Sequence, residues 1–152
     1  MRVTAVAHGI GKGLVAGLAG TAAMTLSSTI EAKVRGRPAS SAPAKAAERA
    51  LGIEKFGSDA AERRFGTLVH WGYGIGWGAV RGLLRAAGAS SEVATAGHFA
   101  AIWGSAQVTL PVLDVAPPIA QWGGKEIAID AWHHLVYTVA TGAAYELLDG
   151  RP

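Results

Sequence analysis

Residues 66–84 read GTLVHWGYGIGWGAVRGLL, and their reading decides the fold. Gly66, Gly72, Gly74, Gly76, Gly78 and Gly82 share a stretch whose first formal charge is Arg81. In water such a helix is weak, because each glycine costs roughly 1 kcal/mol relative to alanine. In hydrocarbon the balance reverses. An unfolded backbone there leaves its amides unpaired, and small residues four apart let two helices approach closely where apolar burial supplies no drive. Gly74, Gly78 and Gly82 have that spacing, as do Gly9, Gly13 and Gly17, with Ala96, Ala100 and Gly104 as a softer version. The pattern is a glycine zipper and predicts close helix–helix faces, internal or between protomers. Gly72 and Gly76 form a second register that predicts neighbours on two sides of one helix.

Composition points the same way. Of 152 residues, 50% are hydrophobic and 16% charged, with a mean hydropathy of +0.26, whereas soluble domains carry about a quarter charged residues. The length fits a single domain, residues 1–152. There is no cysteine, which excludes disulfides and thiolate chemistry. The net charge of +3 is scattered between apolar segments rather than along one face, so lipid headgroups and not nucleic acid are the expected counterions.

Uncharged runs at 13–30, 65–80, 93–113 and 131–145 are candidates for spanning a bilayer. A span needs roughly 20 residues, which the shorter runs reach by admitting Lys12, Arg81 and Glu146, side chains that extend to an interface. The expected spans are about 10–31, 65–84, 93–113 and 129–148, with a hydrophilic connection at 32–64. Trp71, Trp122 and Trp132 lie near span ends, as interfacial anchors do. Within the connection, Pro43 followed by AKAAERALG predicts a short surface helix ending near Gly52. Two alternatives stand beside this one: a water-soluble Ala-rich four-helix bundle, against which none of the four runs carries a polar stripe, and a signal peptide at the N-terminus, for which the apolar run is too long. Basic residues number eight in the connection, joined on that side by Lys125, against Arg2, Lys12, Arg81, Arg85 and Arg151 on the other, a lean towards a cytoplasmic connection.

The chain also repeats itself. At an offset of 64, HWGYGIGWGAVRGLL (70–84) lies over HLVYTVATGAAYELL (134–148) with six of fifteen positions identical, among them Gly78 with Gly142. At an offset of 84, GTAAMTL (20–26) lies over GSAQVTL (104–110). Two similar hairpins about a pseudo-two-fold axis along the membrane normal follow. Such symmetry sets His70 and His134 at one depth, Tyr73 and Tyr137 one turn deeper, and Thr25 and Thr109 opposite them, predicting one polar cluster within the bundle.

Three readings of that cluster stay open: structural hydrogen bonding across helices, haem b or metal held by facing imidazoles, and passage of protons or solutes. His133 points about 100° away from His134, His98 reads as an isolated packing residue, and Gln107 as a bond donor to a neighbouring helix. Asp114, Glu126 and Asp130 read as solvated helix ends. No phosphate loop, nucleophile elbow, His-Glu-x-x-His or paired intramembrane carboxylates is present, so no catalytic residue is assigned and no enzyme is expected.

The segments GLVAGLAGTAAMTLSSTIEAKVRGRPAS, GTLVHWGYGIGWGAVRGLL and HHLVYTVATGAAYELL together resemble small bacterial inner-membrane proteins of the YagU-like kind. The resemblance implies a polytopic protein of the bacterial cytoplasmic membrane and carries no reaction or ligand. The expectation is an all-α, four-helix transmembrane bundle of two similar hairpins, non-enzymatic, in contact with the lipid bilayer and assembling as a homo-oligomer or with another membrane subunit. A carrier or channel, and a haem- or metal-binding subunit, are the alternatives.

Overall fold

Local signals set the element ends in the computed structural model, which describes residues 3–150; Arg2 and Arg151 of the charge balance lie outside them. Helix α1 (Val3–Val34) is uninterrupted by proline. Helix α2 (Ala42–Leu51) has Pro43 in its first turn, where the missing N–H is harmless, and stops at Gly52, whose φ of 66° is left-handed. The Ser58 hydroxyl accepts from the Ala61 N–H at 3.2 Å and opens α3 (Asp59–Ala86), with Asp59 and Glu62 complementing the helix dipole. Ser90 caps α4 (Ser91–Val112) in the same way, through the Val93 N–H. After Pro117 and Pro118 a 3₁₀ turn (Ile119–Gln121) leads into α5 (Gly124–Asp149). Among the described residues there is no strand, so the chain is all-helical.

The four long helices form a ring in the order α1, α3, α4, α5, each antiparallel to its neighbours, with α1 set most intimately between α3 and α5. Helix α2 lies against the start of α3. Of the long helices, only α1 is by itself long and apolar enough to cross a membrane. Glycines, histidines, aromatics and charged ends dilute the other three.

The α1–α3 contact is backbone on backbone. A Cβ added at Gly9 would stand 2.8 Å from the Gly82 carbonyl oxygen, and one at Gly17 would stand 2.8 Å from that of Ile75. At Gly13 and Gly78 each added Cβ would collide with the other's carbonyl oxygen, and one at Gly82 would collide with that of Gly9. Each of these glycines therefore aims an α-hydrogen at a carbonyl across the seam, the geometry of Cα–H···O contacts. Gly74 receives Thr21, and Gly20 receives Thr141 and Tyr137, which carries close packing on to α5.

The other small-residue stripe points elsewhere. Ala94, His98 and Ile102 form the buried face of α4, and Ala96 lies two residues from Ala94, about 160° around the helix. Ala96 and Ala100 are accordingly exposed, and a Cβ at Gly104 would meet nothing within 4 Å. Gly104 is thus no packing glycine, although its repeat mate Gly20 is. Gly72 and Gly76 likewise have open space and face away from the bundle, not towards a second internal neighbour. A Cβ at Gly142 would stand 3.2 Å from Thr95 Oγ1, a tight approach, and 3.5 Å from the Arg81 guanidinium, in ordinary contact.

The buried side chains are mostly small or polar, joined by Ile102, Tyr137 and Tyr145. The interior holds Ala16, Thr21, Arg81, Ala94, His98, Thr138 and Thr141, while Leu18, Leu26, Ile30, Leu68, Val108, Val139 and Leu147 face outwards. Size at the seam, and not apolarity, decides what α1 and α3 tolerate. Gly78→Val should lower the stability of the purified protein by about 1–3 kcal/mol or more through overpacking. Gly76→Val, two residues away in open space, should change it by less than about 0.5 kcal/mol. Thermal unfolding of the two variants side by side checks this.

Candidate functional site

The expected six-residue cluster does not assemble. Thr25 Oγ1 and His70 Nε2 meet at 2.8 Å across α1 and α3, but His134 turns its Nδ1 to the Asp130 carbonyl of its own helix at 2.8 Å. Tyr137 is 1% exposed and donates its hydroxyl proton to the Gly74 carbonyl at 2.5 Å, whereas Tyr73 is 47% exposed and packs edge-on against Trp77. Thr109 is exposed. Helix geometry explains the split. With Gly78 at the centre of the α3 seam, Tyr73 lies about 140° away and His70 about 80°, so tyrosine faces out and histidine reaches only the flank. On α5, Tyr137 lies about 40° from the inward Thr141 and is enclosed. Among the described residues, no hydrogen bond or ring contact joins His70 to His134, and no group of three or more His, Cys, Asp or Glu is placed to hold a metal.

Polar chemistry gathers instead at three other places. At the end holding the α3–α4 turn, Arg81 is 0% exposed, and its guanidinium donates to the Ser91 carbonyl and hydroxyl at 2.9 and 2.8 Å, Thr95 Oγ1 at 2.7 Å and Glu146 Oε1 at 2.7 Å. Arg85 takes the second Glu146 oxygen at 3.0 Å, and the ring of Tyr145 lies 5.9 Å from the Arg81 guanidinium carbon. Lys12 joins the same end through Asp149 at 2.6 Å. Side chains expected to reach individually towards an interface are thus tied to one another, because a buried charge needs a partner. Arg81, Arg85, Glu146 and Asp149 fall in the last two turns of α3 and α5, and Lys12 in the third turn of α1, all towards one end of an up-down bundle, and that shared end was the available signal.

A second group joins α4 to α5. Asp130 accepts from Trp103 Nε1 at 2.9 Å and from Gln107 Nε2 at 3.4 Å, with His134 Nδ1 at 3.7 Å from the same carboxylate. Gln107 therefore bonds a neighbouring helix, and Asp130 is an interhelical acceptor rather than a solvated end. His98 is fully buried with its ring edge-on to Tyr137, centroids 5.4 Å apart.

The third group lies at the opposite end from Arg81, between α1 and α5. Ser27 Oγ and His133 Nδ1 meet at 2.9 Å. His133 Nε2 is 3.7 Å from Glu31, which pairs with Arg35 at 3.1 Å and with Arg37. Arg35 also reaches Glu126 at 2.6 Å. An open groove of about 510 Å³ runs between the two helices, with Ser27 and His133 inside it and Arg35 and Lys125 at its mouth. No family model, curated protein or solved structure matches the chain.

The two ends differ in what their charges do for the fold. Glu146→Gln leaves the buried Arg81 without a counter-charge and should cost about 3–5 kcal/mol in thermal unfolding. Glu126 behaves otherwise. Its exposed carboxylate is held below the usual range by the Arg35 guanidinium bonded to it. A depressed value means that the tether is present above the ordinary carboxylate range and lost only as pH falls through the lowered value. Titration followed by the Glu126 carboxyl carbon shift should show this depression, and Arg35→Gln should abolish it.

Proposed function

We propose that the chain is a four-span integral membrane protein of non-enzymatic type that works through helix association, with a second copy or another membrane subunit. The observation that carries the reading is the distribution of side chains. Among the described residues, eighteen large hydrophobic side chains are exposed, among them Leu26, Leu68, Val108 and Val139, while the inside holds mostly glycine, alanine, threonine and paired charges around Ile102, His98, Tyr137 and Tyr145. Soluble monomers rarely expose such extensive apolar surface, whereas in lipid these side chains meet an equivalent solvent and packing of small residues holds the helices together. The four long helices contain about 22 to 32 residues each, enough for about 30 Å of hydrocarbon at 1.5 Å per residue.

Association then has a specific face. The Gly9/Gly13/Gly17 and Gly74/Gly78/Gly82 stripes are consumed within the protomer. Leu68, Gly72 and Gly76, each four residues apart on α3, look outwards, with Leu68 73% exposed. Small residues flanked by larger ones on a lipid-facing surface allow a second helix to dock. The carrier and haem-binding readings both relied on one converging His/Tyr/Thr cluster, and the separate pairs formed by these residues lend them less support.

Since the chain has no cysteine, Leu68→Cys introduces a unique thiol. In alkaline-washed membranes the protein should stay in the pellet, and mild oxidation should give a disulfide-linked dimer through Cys at position 68. Adding Gly76→Ile should suppress that dimer with membrane retention unchanged. Release into the wash contradicts the membrane reading, and a dimer insensitive to Gly76→Ile contradicts the assigned face.

A further inference from the structure

His98 of α4 is fully buried, yet neither of its ring nitrogens has a hydrogen-bond partner. Buried polar groups are otherwise bonded almost without exception, so an imidazole orphaned at both nitrogens calls for an explanation. Helix α4 commits little else to the interior. Its buried face is Ala94, His98 and Ile102, whereas α1 has buried residues from Gly9 to Ala32. The seat of α4 is therefore set largely by what surrounds His98. From α5, Tyr137 meets the ring edge-on, centroids 5.4 Å apart, with its hydroxyl already committed to the Gly74 carbonyl. From α3, the Trp77 backbone faces the imidazole without completing a hydrogen bond, and the charged neighbour is Arg81. On α4 itself, Thr95 lies one turn away and accepts from Arg81, as does Ser91. Helix α1 lies across the ring, and α2 sits against the start of α3, at the opposite end of the bundle from Arg81.

We infer that His98 makes the seating of α4 proton-dependent: with the imidazole neutral α4 closes the ring, and uptake of a proton loosens α4 from α3 and α5. Protonation places a second cation beside Arg81 with no carboxylate free to balance it, since Glu146 already serves Arg81 and Arg85. The repulsion acts on the same guanidinium that ties Ser91 and Thr95 to α3, so the clamp on the start of α4 weakens as the charge appears. Asp130, bonded to Trp103 and Gln107, holds the second half of α4 to α5. The opening therefore falls in the first two turns of α4. Its sign follows from proton linkage. An opened α4 exposes an imidazole that binds a proton below about pH 6.5, while the closed ring excludes that proton, so acidification favours the opened form by about tenfold per pH unit. The packing of α4 alone supports this, apart from association through α3.

The test uses the full chain in uncharged detergent carrying Ala94→Cys, a unique thiol at a position 0% exposed. Its rate of reaction with a small water-soluble methanethiosulfonate is measured from pH 8 to pH 5, with and without His98→Phe, which keeps a ring against Tyr137 and removes the titrating nitrogens. The ratio of the two rates at each pH cancels the titration of the thiol itself. That ratio should be constant above about pH 7 and rise about tenfold per unit below about pH 6.5. The unfolding equilibrium of the chain with Ala94 in place, again relative to His98→Phe, should shift towards the unfolded form by the same factor over the same range. An unfolding ratio independent of pH overturns the proton coupling. A pH-dependent unfolding ratio with a flat thiol ratio overturns the loosening of α4.

Discussion

At Gly13 and Gly78 two helices touch through their backbones, each residue's α-carbon set against the other's carbonyl oxygen. A side chain at either position would force the helices apart. This approach fixes the roll of α1 and α3 about their axes, and most of what lies around them follows. With the seam turned inwards, Thr21 fills the space beside Gly74, Thr141 and Tyr137 close over Gly20, and the Tyr137 hydroxyl reaches the Gly74 carbonyl. Helix α1 becomes the shared partner of α3 and α5, and the ring of four closes against α4 through Ala94, His98 and Ile102.

The two ends of the bundle are finished differently. One is locked by a buried charge network in which Glu146 serves two arginines and Lys12 meets Asp149. The other has more exposed pairs around Glu31, Arg35 and Glu126, and there the helices part enough to leave a groove. Rigidity at one end and an open, cationic mouth at the other suit a protein held firmly as a bundle and contacting its surroundings along its length.

Much of this was legible in residue spacing. Glycines four apart on α1 and α3 identified the seam, and Pro43 with Gly52 marked the bounds of α2. The polar cluster does not form because sequence identity between 70–84 and 134–148 does not give the two helices one inward face. The two matched helices sit differently in the ring: α3 turns its Gly74/Gly78/Gly82 face to α1, which leaves Tyr73 about 140° from Gly78 and exposed, whereas α5 buries both Tyr137 and Gly142. On α4 the Ala96/Ala100/Gly104 stripe is as regular as a packing face, but the buried face is formed by Ala94, His98 and Ile102, with the His98 ring against Tyr137 of α5. The pairing of Arg81 with Glu146, and of Trp103 with Asp130, depends on which helices are neighbours around the ring. Periodicity within one helix carries no such information.

Everything rests on hydrocarbon being the medium against the outward leucines and valines. The direct measurement is the collision rate of spin labels attached to single cysteines replacing Leu26, Val108 and Val139 in turn, using molecular oxygen and a water-soluble nickel chelate in reconstituted vesicles. The account predicts high oxygen and low nickel accessibility at all three, with the reverse for a label at Lys45 on α2. Strong nickel collisions at Leu26, Val108 and Val139, equal to those at Lys45, would contradict it.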